Sequence, residues 1–337
     1  MNPFPRFTET LLGWYAQYGR DLPWRRTRDP YAIWLSEIIL QQTRIAQGQA
    51  YWERFMERFP DVESLAAASE DEVLRLWEGL GYYSRGRNLL AAARQIAASG
   101  AFPDTIEGIR ALKGVGDYTA AAIGSIAFNL PAAVVDGNVY RVLARYYGID
   151  TPVGSTAAKK EFTALAQSLL PPGRPGDFNQ AMMAFGALQC TPQSPACLTC
   201  PLAFGCVALR TGRTDALPVR KAAVKIRERR LNYVYIRCGG ETAIRRRGPG
   251  DIWQGLWEPY LEEGDFSGFP GARPLRKDVR HQLTHQRLTA CFYLLECDEK
   301  PSLPEGYIWI PESELAQYAK PRLFELLLQA LPGERKK

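Results

Sequence analysis

Four cysteines stand close together in this chain, Cys190, Cys197, Cys200 and Cys206, in the spacing Cys-x6-Cys-x2-Cys-x5-Cys. Soft thiolates so near in sequence can close a short loop around a metal centre at little entropic cost. The total of seven cysteines is odd, and their clustering favours metal ligation over a disulfide framework spread through a small secreted fold. Structural zinc is the plain alternative, but zinc sites usually use two separated Cys-x2-Cys pairs, and only one such pair occurs here. The wide x6 and x5 gaps suit the corners of a 4Fe-4S cubane.

Two carboxylates carry a second kind of chemistry. Asp136-Gly137-Asn138 follows the apolar run 132–135 and opens a helical run at Val139, so Asp136 reads as an N-cap. Free amides at a helix start also keep a carboxylate ionised, as a group facing a developing cation must be. Glu37 has Ile33, Trp34 and Leu40 at i−4, i−3 and i+3, which turns it along an apolar helical face. A buried carboxyl group holds its proton and can act as a general acid near neutral pH; the plain alternative is a helix glutamate paired with Arg44. An acid and an anion with pKa values pushed apart are what cleavage of an N-glycosidic bond through an oxocarbenium-like transition state requires.

A third site is the stretch 112–120, where Gly114 and Gly116 separate two helical segments. Without a Cβ in the way, backbone amides there can approach a phosphate, although a simple tight turn would use the same glycines.

The elements that must position these groups are helices up to about residue 210, with amphipathic runs at 9–18, 30–59, 70–77, 85–98, 106–111, 118–128, 139–147, 157–170 and 178–188. Residues 211–230 contain Gly212, Pro218 and the basic run Lys221, Lys225, Arg227, Arg229 and Arg230, and read as a linker. Beyond it the period shortens to that of strands at 231–237 and 290–296, with a closing helix at 312–331, so a smaller α+β domain is expected at 231–337. The composition, 46% hydrophobic and 23% charged, is that of an ordinary globular protein, and the net charge of +6 weakly favours a polyanionic partner. No apolar run approaches the length of a membrane span, and the N-terminus lacks a secretory signal. A soluble cytoplasmic monomer is expected.

The segments 35–43, 79–89, 135–139 and 178–183 together resemble the signature segments of the MutY-type adenine DNA glycosylases, within the endonuclease III and helix-hairpin-helix superfamily. The resemblance covers nearly the whole chain. It implies a multidomain protein with an all-α glycosylase region at 1–210, made of a six-helix barrel module at about 25–133 and an iron-sulfur module at about 1–24 and 134–210. The cofactor implied is a 4Fe-4S cluster on the four cysteines, and the partner is duplex DNA holding adenine opposite 8-oxoguanine or guanine.

By the same resemblance Glu37 would protonate adenine, most plausibly at N7, and Asp136 would stabilise the sugar cation or trap it briefly. Asn138 and Tyr118 would orient these groups, while Trp24, Arg25 and Gln180 line the adenine pocket. Gln41, Gln42 and Tyr82 fall among the DNA contacts, the last two as wedge residues, and Gly114 and Gly116 would hold a backbone phosphate. Bifunctional relatives carry a Schiff-base lysine where this chain has Tyr118, so hydrolysis to an abasic site is expected with little strand cleavage; Lys113 keeps a residual lyase reading open. The loop 191–196 lacks the basic residues that the family often places there.

Residues 231–331 resemble the Nudix-like domain of this family, without the glutamate-rich helix that binds magnesium in Nudix hydrolases. The family's Phe-Ser-His reader of 8-oxoguanine corresponds here to Leu283, Thr284 and His285. Two other readings remain: an endonuclease III-like lyase acting on oxidised pyrimidines, and a catalytically silent iron-sulfur DNA-binding protein.

Overall fold

The computed structural model describes residues 5–220, 226–283 and 285–332. Contacts divide the chain into two compact units, Met1–Ala67 with Ala91–Ala222, and Ala68–Leu90 with Ala223–Lys337.

In the first unit the helix Pro30–Ile39 starts where Asp29 accepts hydrogen bonds from the amides of Tyr31 and Ala32, with Pro30 at its first position. Eight of its ten residues are buried, Trp34 and Leu35 completely, so this helix runs through the interior. Helix Asp117–Ala127 packs against it with a face of alanine, glycine and isoleucine. On its other side Gly124 faces Ile106 of the helix Ile106–Ala111, whose Cδ1 a Cβ would meet at 2.5 Å, so that side chain would have to move.

A second core joins helices Pro5–Tyr18, Gly137–Tyr147, Thr156–Leu169 and Pro175–Leu188 through Phe7, Trp14, Leu143, Phe162, Phe178 and Phe185. Burying each such aromatic or aliphatic side chain contributes roughly 1.5–3 kcal/mol. Within this core Asn179 donates to Ser125 Oγ (2.9 Å) and Ala132 O (2.8 Å) and accepts from Val134 N (3.0 Å). These bonds pin the extended chain that leads into Asp136.

The segment read as a linker begins docked. Leu217 is 1% exposed in the second core and its carbonyl accepts from Arg145 Nε at 3.0 Å, while Val153 N donates to Val219 O. Residues 221–225 lie outside the described residues.

The second unit is built on a seven-stranded mixed sheet. Its strands are β1 (Arg227–Cys238), β2 (Glu241–Arg246), β3 (Trp257–Glu258), β4 (Tyr260–Glu263), β5 (Arg273–Gln282), β6 (Gln286–Cys297) and β7 (Tyr307–Pro311). The order is β3-β2-β1-β6-β5, with β4 also on β1 and β7 also on β2. The parallel ladder of β1 with β6 forms its centre, and the other pairs are antiparallel. Helix Arg322–Ala330 packs Leu323, Phe324 and Leu327 into the core with Tyr233, Tyr235 and Phe292. The closing helix expected at 312–331 is thus broken into a 3-10 turn, Glu312–Gln317, and this shorter helix. Pro321 sits at the N-cap of the second piece, and it disfavours helical backbone at the residue before it.

The segment Ala68–Leu90, expected within the helical region, belongs to the second unit. Arg246 pairs with Glu70 at 2.8 Å, Arg87 donates to the Gln254 carbonyl, and Tyr83 Oη donates to Lys320 O at 3.3 Å.

Candidate active site and cysteine loop

A cavity of about 700 Å³ in the first unit is lined by Glu37, Tyr118, Asp136, Asn138, Trp24, Arg25 and Gln180. These seven came from five separate stretches of sequence, and the fold brings them to one wall-to-wall site. Glu37 projects from helix Pro30–Ile39 and opens onto the cavity while the rest of its surroundings are protein. Its Oε2 accepts a hydrogen bond from Tyr118 Oη at 3.1 Å, and that hydroxyl also lies 3.4 Å from Met183 Sδ. Burial pushes the Glu37 carboxyl up to about 7, and the negative charge of Asp136 acts in the same direction. The Tyr118 hydrogen bond and the Arg25 guanidinium pull it back without cancelling the rise. The partner is therefore a tyrosine and not the Arg44 considered from the sequence.

Asp136 caps helix Gly137–Tyr147. Its Oδ1 accepts from the amides of Asn138 (2.9 Å) and Val139 (2.8 Å), and its Oδ2 accepts from Asn138 Nδ2 (2.8 Å). Burial nonetheless lifts its pKa above the ordinary aspartate value, although these donors and Arg141 oppose the rise. The amides were legible in the sequence and the burial was not. The two carboxyl groups still differ, since three hydrogen-bond donors serve the ionised form of Asp136 and one serves Glu37. Across one cavity, a proton-holding acid and a solvated-by-protein anion can protonate a leaving group and face the cation it leaves.

Arg141 ties this anion to the cysteine loop. Its guanidinium donates to Asn138 Oδ1 (2.9 Å), Gly186 O (2.6 Å) and Cys190 O (2.8 Å). Only 7% of the residue is exposed. Sequence reading missed it, although Asp-x-Asn-x-x-Arg places an arginine one turn beyond Asn138 on a helix that also presents the cap. Gly186 sits where the two helices touch, and a Cβ there would meet Asn138 Cβ at 2.6 Å. Gly186→Ala is expected to cost about 1–3 kcal/mol of stability, read from the denaturant midpoint. An unchanged midpoint would mean the helices part freely.

The four cysteines line a common cavity with Arg145, whose Nη1 donates to Cys190 Sγ at 3.4 Å. Each thiol is half-buried, and burial pushes Cys200 up to about 11, with the other three cysteines adding to the rise. Among the described residues no three Cys, His, Asp or Glu side chains converge closely enough to hold a single metal ion. Four soft thiols lining one small cavity are a donor set suited to a metal centre.

Other expected contacts are more scattered. Gln41 Nε2 donates to Thr119 Oγ1 at 3.2 Å and does not line the cavity; Gln42 is exposed with φ +56°. Tyr82, in the second unit, is 44% exposed with φ +48°, and the Arg85 guanidinium lies 5.5 Å from its ring centroid. Gln42 and Tyr82, the two residues expected as wedges, thus both hold left-handed backbone that non-glycine residues seldom adopt. Gly114 (φ +78°) turns the chain between helices Ile106–Ala111 and Asp117–Ala127, and Gly116 caps the second helix without a side-chain hydrogen bond, beside the Asp117 carboxylate that pairs with Arg110 and Lys159. That end is open to an anion. In the β5–β6 hairpin His285 is exposed, Thr284 lies outside the described residues, and Leu283 packs against the sheet's core. Its half-buried leucine side chain contributes to the hairpin's packing. Arg20, Thr43 and Met183 also line the main cavity and were not singled out from sequence, and Arg44, considered only as an ion-pair partner of Glu37, lines it too.

Comparison with known proteins adds the following. Residues 35–172 match the HhH-GPD superfamily of base excision DNA repair proteins, and residues 232–330 match the NUDIX domain. A mouse protein named adenine DNA glycosylase is 47% identical over 81% of this chain and 53% of its own length. A relative of the same name from Buchnera aphidicola subsp. Acyrthosiphon pisum is 35% identical over 74% of this chain and 73% of its own. The chain spans about half the length of the mouse relative. Among solved structures, a thermostable thymine-DNA glycosylase is 31% identical with TM-score 0.56, covering 61% of this chain and 96% of that one.

Proposed function

Because this chain belongs to the adenine DNA glycosylase family, we propose that it removes adenine mispaired with 8-oxoguanine or guanine from duplex DNA, by hydrolysis, leaving an abasic site. The observation that carries the reading is the pairing of a raised acid, Glu37, with a capped anion, Asp136, on one cavity.

The chemistry follows from the residues. Extrusion of a base costs a few kcal/mol, and the exposed Gln42 and Tyr82 are the wedge residues of this reading. With adenine in the cavity, Glu37 gives its proton to N7, so the base departs as a neutral molecule. Tyr118 holds the Glu37 carboxyl through its hydrogen bond, and Asp136 faces the oxocarbenium-like sugar until water adds. Trp24, Arg25 and Gln180 shape the base pocket. Cys190, Cys197, Cys200 and Cys206 would hold a 4Fe-4S cluster, which, with every iron ligated, supplies a rigid loop and no open position for substrate. Arg141, bonded to both Asn138 and the Cys190 carbonyl, then sets the anion against a fixed support.

Tyr118 occupies the place where a lyase would need an amine. Borohydride treatment during turnover is therefore expected to trap no covalent protein–DNA adduct. A trapped adduct that vanishes in Lys113→Ala would establish lyase chemistry instead.

The β5–β6 hairpin is the proposed reader of 8-oxoguanine. His285→Ala with Thr284→Ala is expected to reduce the preference for A:8-oxoguanine over A:G about tenfold or more, while adenine release from A:G persists, since losing a good base contact costs roughly 1–3 kcal/mol. Unchanged discrimination would assign the reading elsewhere. The function as a whole is tested by single-turnover adenine release from an A:8-oxoguanine duplex; no release by the intact, cluster-loaded chain would reject it.

A further inference from the structure

Three cysteines lie outside the four-cysteine loop: Cys238, Cys291 and Cys297. Two of them close the central ladder of the sheet. Cys238 is the last residue of β1, Cys297 is the last of β6, and they are opposed in register in the parallel pair. Opposed residues on parallel strands turn their side chains to the same face, and adjacent strands lie about 4.8 Å apart. That spacing falls in the range of roughly 4.4–6.8 Å between Cα atoms that a disulfide spans. The preceding rung demonstrates that side chains meet across this end of the ladder, because Arg237 and Glu296 form an ion pair at 3.5 Å. The Cys297 thiol lies 3.7 Å from the Arg237 carbonyl, and the neighbouring Cys238 thiol helps raise its pKa.

We propose that Cys238 and Cys297 are a redox-reversible pair that closes to a disulfide across the ends of β1 and β6, with small-molecule disulfides as the oxidant. Burial divides the roles. Cys238 is 3% exposed, whereas Cys297 is half-buried at the sheet's rim, so Cys297 is the sulfur a small disulfide meets first. Its thiolate attacks one sulfur of that disulfide and releases one small thiol, giving a mixed disulfide. Cys238, deprotonated in turn, attacks Cys297 Sγ and displaces the second small thiol. The protein loses two electrons and two protons, and the small disulfide becomes two thiols. Burial and the neighbouring Cys238 thiol push the Cys297 thiol up to about 11. Few thiolates form at neutral pH, so closure is slow there. Cys291, 1% exposed and opposite Asn232, is not a partner for either.

The test equilibrates the intact, cluster-loaded chain with oxidised and reduced glutathione at a series of ratios. Free thiols are then alkylated under denaturing conditions and the digested peptides weighed. The expected result is one cross-linked peptide joining residues 238 and 297, reversed by excess reduced glutathione. Cys238→Ser should convert it to a glutathione adduct on Cys297. The proposal fails if the unaltered chain carries glutathione on Cys297 with Cys238 alkylated, if a cross-link involves Cys291, or if both thiols stay alkylatable at the most oxidising ratio.

Discussion

Glu37→Gln is expected to lower single-turnover adenine release about 10²–10⁴-fold, the usual contribution of a positioned general acid, while duplex binding stays near its original strength. Glutamine keeps the shape and can still accept the Tyr118 hydrogen bond, but it has no proton to give to N7. Loss of folding is separable from loss of acid. The Glu37 carboxyl is raised to about 7 from an ordinary value near 4.5, so the native state favours its protonated form. The carboxylate therefore burdens folding above the unfolded value, a cost that grows as pH rises to the folded value and then levels off, up to about 3 kcal/mol at about 1.4 kcal/mol per pH unit. The glutamine variant is expected to be at least as stable as the parent at pH 8 and far less active. A variant that is inactive because it unfolds would show the opposite order in a denaturant melt.

Asp136→Asn should separate cap from charge. Asparagine caps helices about as well as aspartate, and its oxygen can still accept from the Asn138 and Val139 amides. Stability is expected to fall by about 1–3 kcal/mol at most, because the new NH2 group cannot accept the Asn138 Nδ2 bond while the backbone caps remain. The negative charge facing the sugar is lost, and removal of an electrostatic stabiliser in a water-poor site typically costs 10²–10³ in rate. Thermal unfolding and single-turnover kinetics on the same preparation give both numbers. A rate near that of the parent would assign the cation-stabilising role to another group; a collapse in stability would make Asp136 a structural cap above all.

These expectations draw on chemistry that is local in the sequence. The apolar neighbours of Glu37 lie within one turn on either side, the Asp136 cap is complete within three residues, and the cysteine loop closes over a short stretch, so each could be read without the fold. What could not be read was carried by distant partners. Tyr118 meets Glu37 from 81 residues away, a placement only the family resemblance offered, and Arg141 reaches Cys190 from 49. Neither periodicity nor capping rules address such separations. The net direction at Asp136 was also hidden, because amides announce themselves in sequence while the protein packed over a carboxylate does not. In the second unit only the runs within β1 and β6 were legible, while the other five strands, the parallel pairing of β1 with β6 and the break at Pro321 were not. The half-buried packing of Leu283 against the sheet's core was likewise not legible.

The account rests on Glu37 acting as a proton donor opposite an ionised Asp136. The pH dependence of single-turnover adenine release from an A:8-oxoguanine duplex tests this most directly. The rate should be high while Glu37 is protonated and fall about tenfold per pH unit above about 7, with that descending limb absent from the residual activity of Glu37→Gln. A rate that stays level from pH 6 to 9, or an identical falling limb in the glutamine variant, would contradict it.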